Sequence, residues 1–255
     1  MSEYINIKNE GRIKIICINR PDKKNALDLA MYSALAQALR DADEDNNIRV
    51  SYLTGIADSF CSGNDINDFL KNPPANESSP VLQFIDVIVN AKKPIVAAVN
   101  GIAVGIGTTM LLHCDLVYAS DVAQFQLPFV NIGLCPEAGS THILSALMGH
   151  QKISELILLG ERFNAEQAEN FGIVNKVIAA NELETTAMES VKRIAEQPPN
   201  AVQASKALLR AAMHDQIVEA SQREAERFIS MLNDEEAKEA LTAFMEKRKP
   251  DFSRF

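Results

Sequence analysis

Apolar and polar residues alternate over 4–8 and again over 13–18, with Asn9-Glu10-Gly11 between them, a pattern that predicts a β-hairpin. After Pro21-Asp22 the period changes, and residues 27–42 carry apolar side chains three and four apart, as one face of a helix requires. A comparable unit follows: a strand over 50–54, a short helix over 65–70, and a helix over 81–89 with Val81, Leu82, Ile85 and Val89 on one face. The Pro/Asn/Ser-rich stretch 72–80 between those helices reads as a mobile loop.

Next come a uniformly apolar strand over 95–99, a glycine-rich turn over 101–107, an apolar helix over 108–113 and a strand over 115–119, runs suited to burial on both sides. Helices are expected over 139–148, 152–159 and 165–170, and a strand over 174–177. From residue 182 the pattern is helical, broken at Pro198-Pro199 and ending in a charged helix over 234–249. The division is an α/β core over 1–195 and a helical region over 196–255, with no Gly/Ser-rich linker to let the second float free.

Composition narrows the possibilities. A chain of 255 residues, 47% hydrophobic and 23% charged, can bury one large core and is not disordered. Its 25 basic and 34 acidic side chains give a net charge of −9, which opposes binding to nucleic acid or to an anionic lipid surface, so an anionic ligand needs a local cationic patch. Cys17, Cys61, Cys114 and Cys135 are dispersed, without metal-ligand spacing, and read as reduced thiols of a cytoplasmic protein. The start of the chain lacks the basic and apolar segments of a signal peptide, and no apolar run approaches the roughly 20 residues of a membrane span.

Gly105-Ile106-Gly107-Thr108-Thr109-Met110 lies between strand and helix, where a dinucleotide fingerprint would be read, but Met110 stands in place of its third glycine. The same residues also suit a plain tight turn, or a helix start whose free N–H groups approach negative charge on a ligand. No Gly-x-Ser-x-Gly elbow supports a serine hydrolase.

Asn19-Arg20-Pro21 with Asn25-Ala26-Leu27, then Ser59-Phe60-Cys61-Ser62-Gly63-Asn64-Asp65-Ile66, Lys93-Pro94-Ile95 through Asn100-Gly101, and Cys114-Asp115-Leu116-Val117-Tyr118-Ala119 resemble the enoyl-CoA hydratase/isomerase family, the crotonases, in order and spacing. Later segments, Ala165-Glu166-Gln167-Ala168 and Phe244-Met245-Glu246-Lys247-Arg248, extend the resemblance over essentially the whole chain. It implies a crotonase-like α/β spiral of ββα units with a C-terminal helical trimerisation region, a homotrimer or dimer of trimers, and an acyl-CoA substrate. Coenzyme A would then be part of the substrate, with no tightly bound cofactor and no metal. Members of the family form an enolate from a thioester, and two backbone N–H groups meet the developing oxyanion. By position these would be Ser62 and Ile106.

Hydratases of this family carry two glutamates that hold a water; here Thr109 and Phe129 stand at those places, and neither side chain can carry the proton. Glu137, in Gly133-Leu134-Cys135-Pro136-Glu137-Ala138-Gly139-Ser140, stands where hydratases usually have glycine and matches the Δ3,Δ2-enoyl-CoA isomerase branch. The resemblance makes it a proton shuttle from C2 to C4 of a 3-enoyl thioester, in a surround expected to include Phe125, Phe129, Ile132 and Leu134. Read without the family, Glu137 is an acid stabilised at the start of the helix over 139–148. Another crotonase reaction, such as weak hydration or thioester hydrolysis, and a non-catalytic acyl-CoA binder are the alternatives.

For the nucleotide portion the resemblance points to Lys23, Lys24 and Ala26 on one loop, Ser62, Gly63, Asp65 and Ile66 on another, and Phe244 and Lys247 near the end of the chain. Asp65 also suits helix capping, and His113 and His142 read as structural or pocket-tuning groups.

Overall fold

In the computed structural model, which describes residues 2–255, the hairpin forms as patterned: β1 (Ile5–Glu10) pairs antiparallel with β2 (Ile13–Ile18), and Gly11 turns between them with φ 58°. The following helix, α1 (Leu29–Glu44), starts two residues later than the periodicity suggests, because Asp28 is its cap and accepts a hydrogen bond from Met31 N–H.

From there the chain alternates between two sheets. β3 (Val50–Gly55), β5 (Ile95–Val99) and β7 (Leu116–Ser120) extend the first sheet in parallel, giving the order β1-β2-β3-β5-β7-β10 with β10 (Lys176–Ile178) at its edge. Each of the three is followed at once by a three-residue strand of a second sheet: β4 (Ser59–Cys61), β6 (Ile102–Val104) and β8 (Gln124–Gln126), closed by the antiparallel β9 (Arg162–Asn164). This second sheet corrects the expected glycine-rich loop over 101–107. A Cβ on Gly101 would fall 1.9 Å from the Asp58 carbonyl oxygen, so the glycine is what lets β6 lie beside β4.

Helices complete each turn of the spiral. α2 (Ile66–Lys71) and α3 (Pro80–Val89) follow β4, the four-residue α4 (Ile106–Thr109) follows β6, and α5 (Ser140–Leu159) follows β8. α5 bends at Gly149, φ 77° and ψ 164°, which divides it much as the two expected helices are divided. α6 (Ala165–Asn170) carries a capping box from Asn164 and Gln167. α7 (Leu183–Glu196) lays Leu183, Ala187, Val191 and Ala195 on the outer face of the first sheet, against Ile13, Val50, Tyr52 and Val96. The main core lies on the other face, between that sheet, α1 and α3. Each fully buried side chain there, such as Leu35, Phe84 and Ile88, contributes roughly 1.5–3 kcal/mol.

The C-terminal helices dock on this same core. α9 (His214–Met231) packs on α5 and α3, and α10 (Glu235–Met245) on the turn at Val130–Ile132. α8 (Pro199–Ala211) differs: its one buried residue is Lys206, while Leu208 and Leu209 are 76% and 83% exposed. No helix is long and apolar enough to cross a membrane, and among the described residues no cluster of three His, Cys, Asp or Glu could hold a metal ion.

Candidate active site

A cavity of about 470 Å³ opens between the loops before α1 and after β4, the end of β6, α3, α9 and the end of α10. Its mouth is formed by the loop before α1 and the loop after β4. Arg20 ties them together: its guanidinium bonds to Asp65 Oδ2 at 2.9 Å and donates to the Ala26 carbonyl at 3.1 Å. Asn25, buried with φ 58°, donates from its side chain to the Ser59 carbonyl at 2.6 Å and accepts from Arg20 N–H at 2.8 Å. Of the residues that the resemblance names for the nucleotide portion, Lys23, Lys24, Ala26, Ser62, Gly63, Asp65, Ile66 and Phe244 line the cavity. Asp65 additionally caps α2 through the N–H groups of Asn67 and Asp68. Lys247 does not line it: the chain leaves α10 in a left-handed conformation there, φ 56°, and Arg248 bonded to Glu239 folds the tail back along the helix.

The loop after β4 also corrects one expected donor. Ser62 N–H donates to the Lys24 carbonyl at 3.2 Å and is not free. Leu27 N–H donates to the Gly63 carbonyl and Asp65 N–H to the Leu27 carbonyl, an arrangement that turns the Asn64 amide the other way. Asn64 N–H has no protein acceptor among the described residues, and Asn64 lines the cavity. Opposite it, Gly105 takes φ 56°, its N–H bonded to the Gln126 carbonyl, and presents Ile106 N–H, which likewise has no acceptor. At four residues α4 adds little dipole; the unpaired amide itself is the feature that matters. Gly107 is obligatory behind it, since a Cβ there would lie 2.3 Å from the Cys61 carbonyl oxygen.

Glu137 stands in the apolar end of the cavity, 8% exposed. Thr109 donates its hydroxyl to Glu137 Oε1, while Oε2 is buried without a hydrogen-bond partner among the described residues. Burial pushes this carboxyl up to about 8; the Thr109 hydroxyl opposes the rise and the Glu224 charge adds to it. Phe129 and Ile132 flank it in the cavity wall, with Val81, Leu82 and Ile85 of α3. Phe125 and Leu134, expected in that surround, belong to the core instead, and Phe125 stacks on Phe163 at 5.5 Å.

The backbone around Glu137 is held from outside the cavity. Ala138 and Gly139 are both left-handed, φ 62° and 69°. His113 Nε2 bonds to the Ala138 carbonyl at 2.7 Å, and Arg210 approaches Nδ1 at 3.4 Å. Since Arg210 can only donate, Nε2 carries the ring hydrogen. Burial, then the Arg210 charge, brings the imidazole down to about 4, so it is neutral and structural. His142 lies outside the cavity lining. The acid that stabilises the start of α5 is Glu224 of α9, not Glu137: its carboxylate accepts from Gly139 N–H at 2.6 Å and from Thr141 N–H at 3.0 Å.

Three participants escape the sequence reading: Asn64; Tyr32, whose hydroxyl donates to Asn64 Oδ1 at the cavity wall; and Glu224. Glu224 did leave a signal. On α9 the buried positions are Ile217, Ala220, Glu224 and Phe228, so a carboxylate interrupts an otherwise apolar stripe.

A sequence profile described as enoyl-CoA hydratase/isomerase matches residues 8–254. Enoyl-CoA delta isomerase 2 of Rattus norvegicus is 35% identical over 98% of this chain, which spans 65% of that protein's length. The 2,3-dehydroadipyl-CoA hydratase of Escherichia coli K12 is 34% identical, with 99% of each chain covered. Among solved structures, an enoyl-CoA hydratase/isomerase from Pseudoalteromonas atlantica T6c superposes with a TM-score of 0.93 at 38% identity, covering 98% of this chain and all of the other.

Proposed function

This chain belongs to the enoyl-CoA hydratase/isomerase family, and from that premise we propose that it shifts the double bond of a 3-enoyl-CoA to the trans-2 position, with Glu137 as the single proton carrier. The observation that carries the reading is the state of that carboxylate: buried, fixed through one oxygen by Thr109, and with the other oxygen unpaired in the apolar end of the cavity. A base with one free oxygen suits removal and return of a proton; holding a water between two carboxylates requires a second acid, and Thr109 and Phe129 do not supply it.

In the reaction Glu137 Oε2 takes the proton from C2. The C–H electron pair enters the conjugated system and the thioester oxygen becomes the dienolate oxyanion. The unpaired N–H groups of Asn64 and Ile106 would receive that charge, a role in which one such donor is typically worth about 10²–10³ in rate. The protonated Glu137 then delivers the same proton to C4 as the double bond settles between C2 and C3, leaving the carboxylate as it began. The elevated affinity of Glu137 for a proton suits both halves, since it must accept from a carbon acid and release again. Because the base must be ionised to start, turnover at subsaturating substrate rises with pH through about 8.

Coenzyme A would lie along the mouth, with Lys23 and Lys24 beside its phosphates. The exposed Leu208 and Leu209 of α8 support association with further copies of the chain, as a trimer or a dimer of trimers, and the four free thiols suit a cytoplasmic setting. The direct test is conversion of trans-3-hexenoyl-CoA, run beside hydration of crotonyl-CoA. Isomerisation should dominate and Glu137→Gln should lower it about 10²–10⁴-fold. Hydration faster than isomerisation, or a Glu137→Gln enzyme within a few-fold of the parent, would reject the proposal.

A further inference from the structure

Two buried glutamates converge on the start of α5, and they are treated differently. Glu224 reaches across from α9, 7% exposed, and takes the amides of Gly139 and Thr141 together with the Thr141 hydroxyl. Glu137 precedes Gly139 by two residues, and its own carbonyl accepts from Ser140 N–H at 3.2 Å, yet its side chain points to Thr109. A free helix N-terminus attracts a nearby carboxylate, through both its open amides and its dipole. Without another acid in that place, Glu137 has every electrostatic reason to fill it.

We infer that Glu224 is a positioning residue for Glu137: by occupying the first amides of α5 it denies them to Glu137 and keeps that carboxylate turned into the cavity with one oxygen unpaired. The inference rests on Glu137 being the base. Glu224 also sets a second negative charge close to Glu137, which favours the protonated form. The other ionisable groups near the pair act less. Tyr32 of α1 and Cys61 of β4 are both pushed up by burial and neutral, His113 behind Ala138 is neutral, and Cys135 and Arg227 lie on the Glu224 side. Sequence distance hides this relation, since 85 residues separate Glu224 from the Gly139 amide it holds.

The experiment compares Glu224→Gln with Glu224→Ala. A glutamine still offers an amide oxygen to the α5 amides but no charge; alanine vacates the place. The Glu137 carboxyl is followed by ¹³C NMR titration, its signal assigned by its disappearance in Glu137→Gln, and kcat and KM are measured on trans-3-hexenoyl-CoA. In Glu224→Gln the Glu137 midpoint should fall by less than about one pH unit and kcat by less than about threefold. In Glu224→Ala the midpoint should fall by at least about one pH unit further, and kcat by about tenfold or more at nearly unchanged KM, as Glu137 turns to the vacated amides. A crystal structure of that variant should show Glu137 at Gly139 and Thr141. If Glu137 titrates alike in the two variants, or if Glu224→Ala loses only thermal stability, Glu224 is a structural cap and the inference falls. Should Glu137→Gln instead retain full turnover, the reading of Glu137 as base fails, while the titration still decides whether Glu224 governs its orientation.

Discussion

Two of the places where this molecule buries charge do so in opposite ways. Beneath α8, Lys206 Nζ donates to Asp115 Oδ2 and to the Lys93 carbonyl, each at 2.8 Å, and Lys93 Nζ donates to the carbonyls of Ala42 and Asp45, each at 2.7 Å. Asp115 Oδ2 also accepts from Ile95 N–H at 2.8 Å. In that cluster every charged group is paired, and it joins a helix to a sheet. In the Glu137 corner the carboxylate has one partner and one empty oxygen. Burial is common to both. What sets the Glu137 corner apart is an unpaired carboxylate oxygen at a cavity wall, not burial alone.

The comparison can be broken from either side. The largest effect belongs to the fully paired cluster: Lys206→Met leaves Asp115 without its cation and should cost about 3–5 kcal/mol in denaturant titration, while turnover per folded molecule changes by no more than about twofold. Next is the under-paired corner, where stability and ionisation are coupled. A carboxyl whose folded value lies near 8, against an ordinary value of 4.5, penalises the folded state increasingly as pH rises between those values and fully above them. The parent protein should therefore lose roughly 2–4 kcal/mol across that window relative to Glu137→Gln, read from urea midpoints at pH 5 and pH 9. Parallel curves for the two proteins would mean that Glu137 is not strained by its burial.

A smaller change tests the one partner Glu137 has. Thr109→Val removes the hydroxyl that favours the ionised carboxylate, so the midpoint of the pH–rate profile should move upward by about one pH unit and turnover at pH 7 should fall about tenfold; Thr109→Ser should restore both. The smallest effect lies at the solvent-facing mouth. Replacing Lys23 and Lys24 by alanine should raise KM for the CoA thioester about two- to fivefold at low salt, a difference that closes as salt screens exposed charge.

Much of the first sheet was legible because five of its six strands are five or six residues long and its covering helices show their period. The second sheet was not: β4, β6, β8 and β9 have three residues each, too few for alternation to register. In the site, Ile106 and Glu137 were named by the family resemblance and both line the cavity, while the Ser62 N–H that it also named is bonded to Lys24 and the open amide is that of Asn64, two residues on. In an extended run amides two residues apart face the same side, but Gly63, at φ 97°, breaks the run between Ser62 and Asn64, so spacing places the loop without deciding which N–H is left open. Glu224 was hidden differently, by a pairing that spans two helices far apart in the chain.

The parallel pairing of the first sheet has a consequence for the order in which the molecule assembles. Only β1 and β2 meet through a short turn; every other pair in that sheet joins strands separated by a crossover, and such contacts close slowly because a long loop must be ordered before they form. The cavity draws on segments near residues 24, 64, 106, 137 and 224, and so depends on nearly every one of those closures. During refolding the hairpin and isolated helices are cheap and early, whereas the Glu137 carboxylate, the two open amides and the Glu224 cap of α5 come together only when the last helices dock.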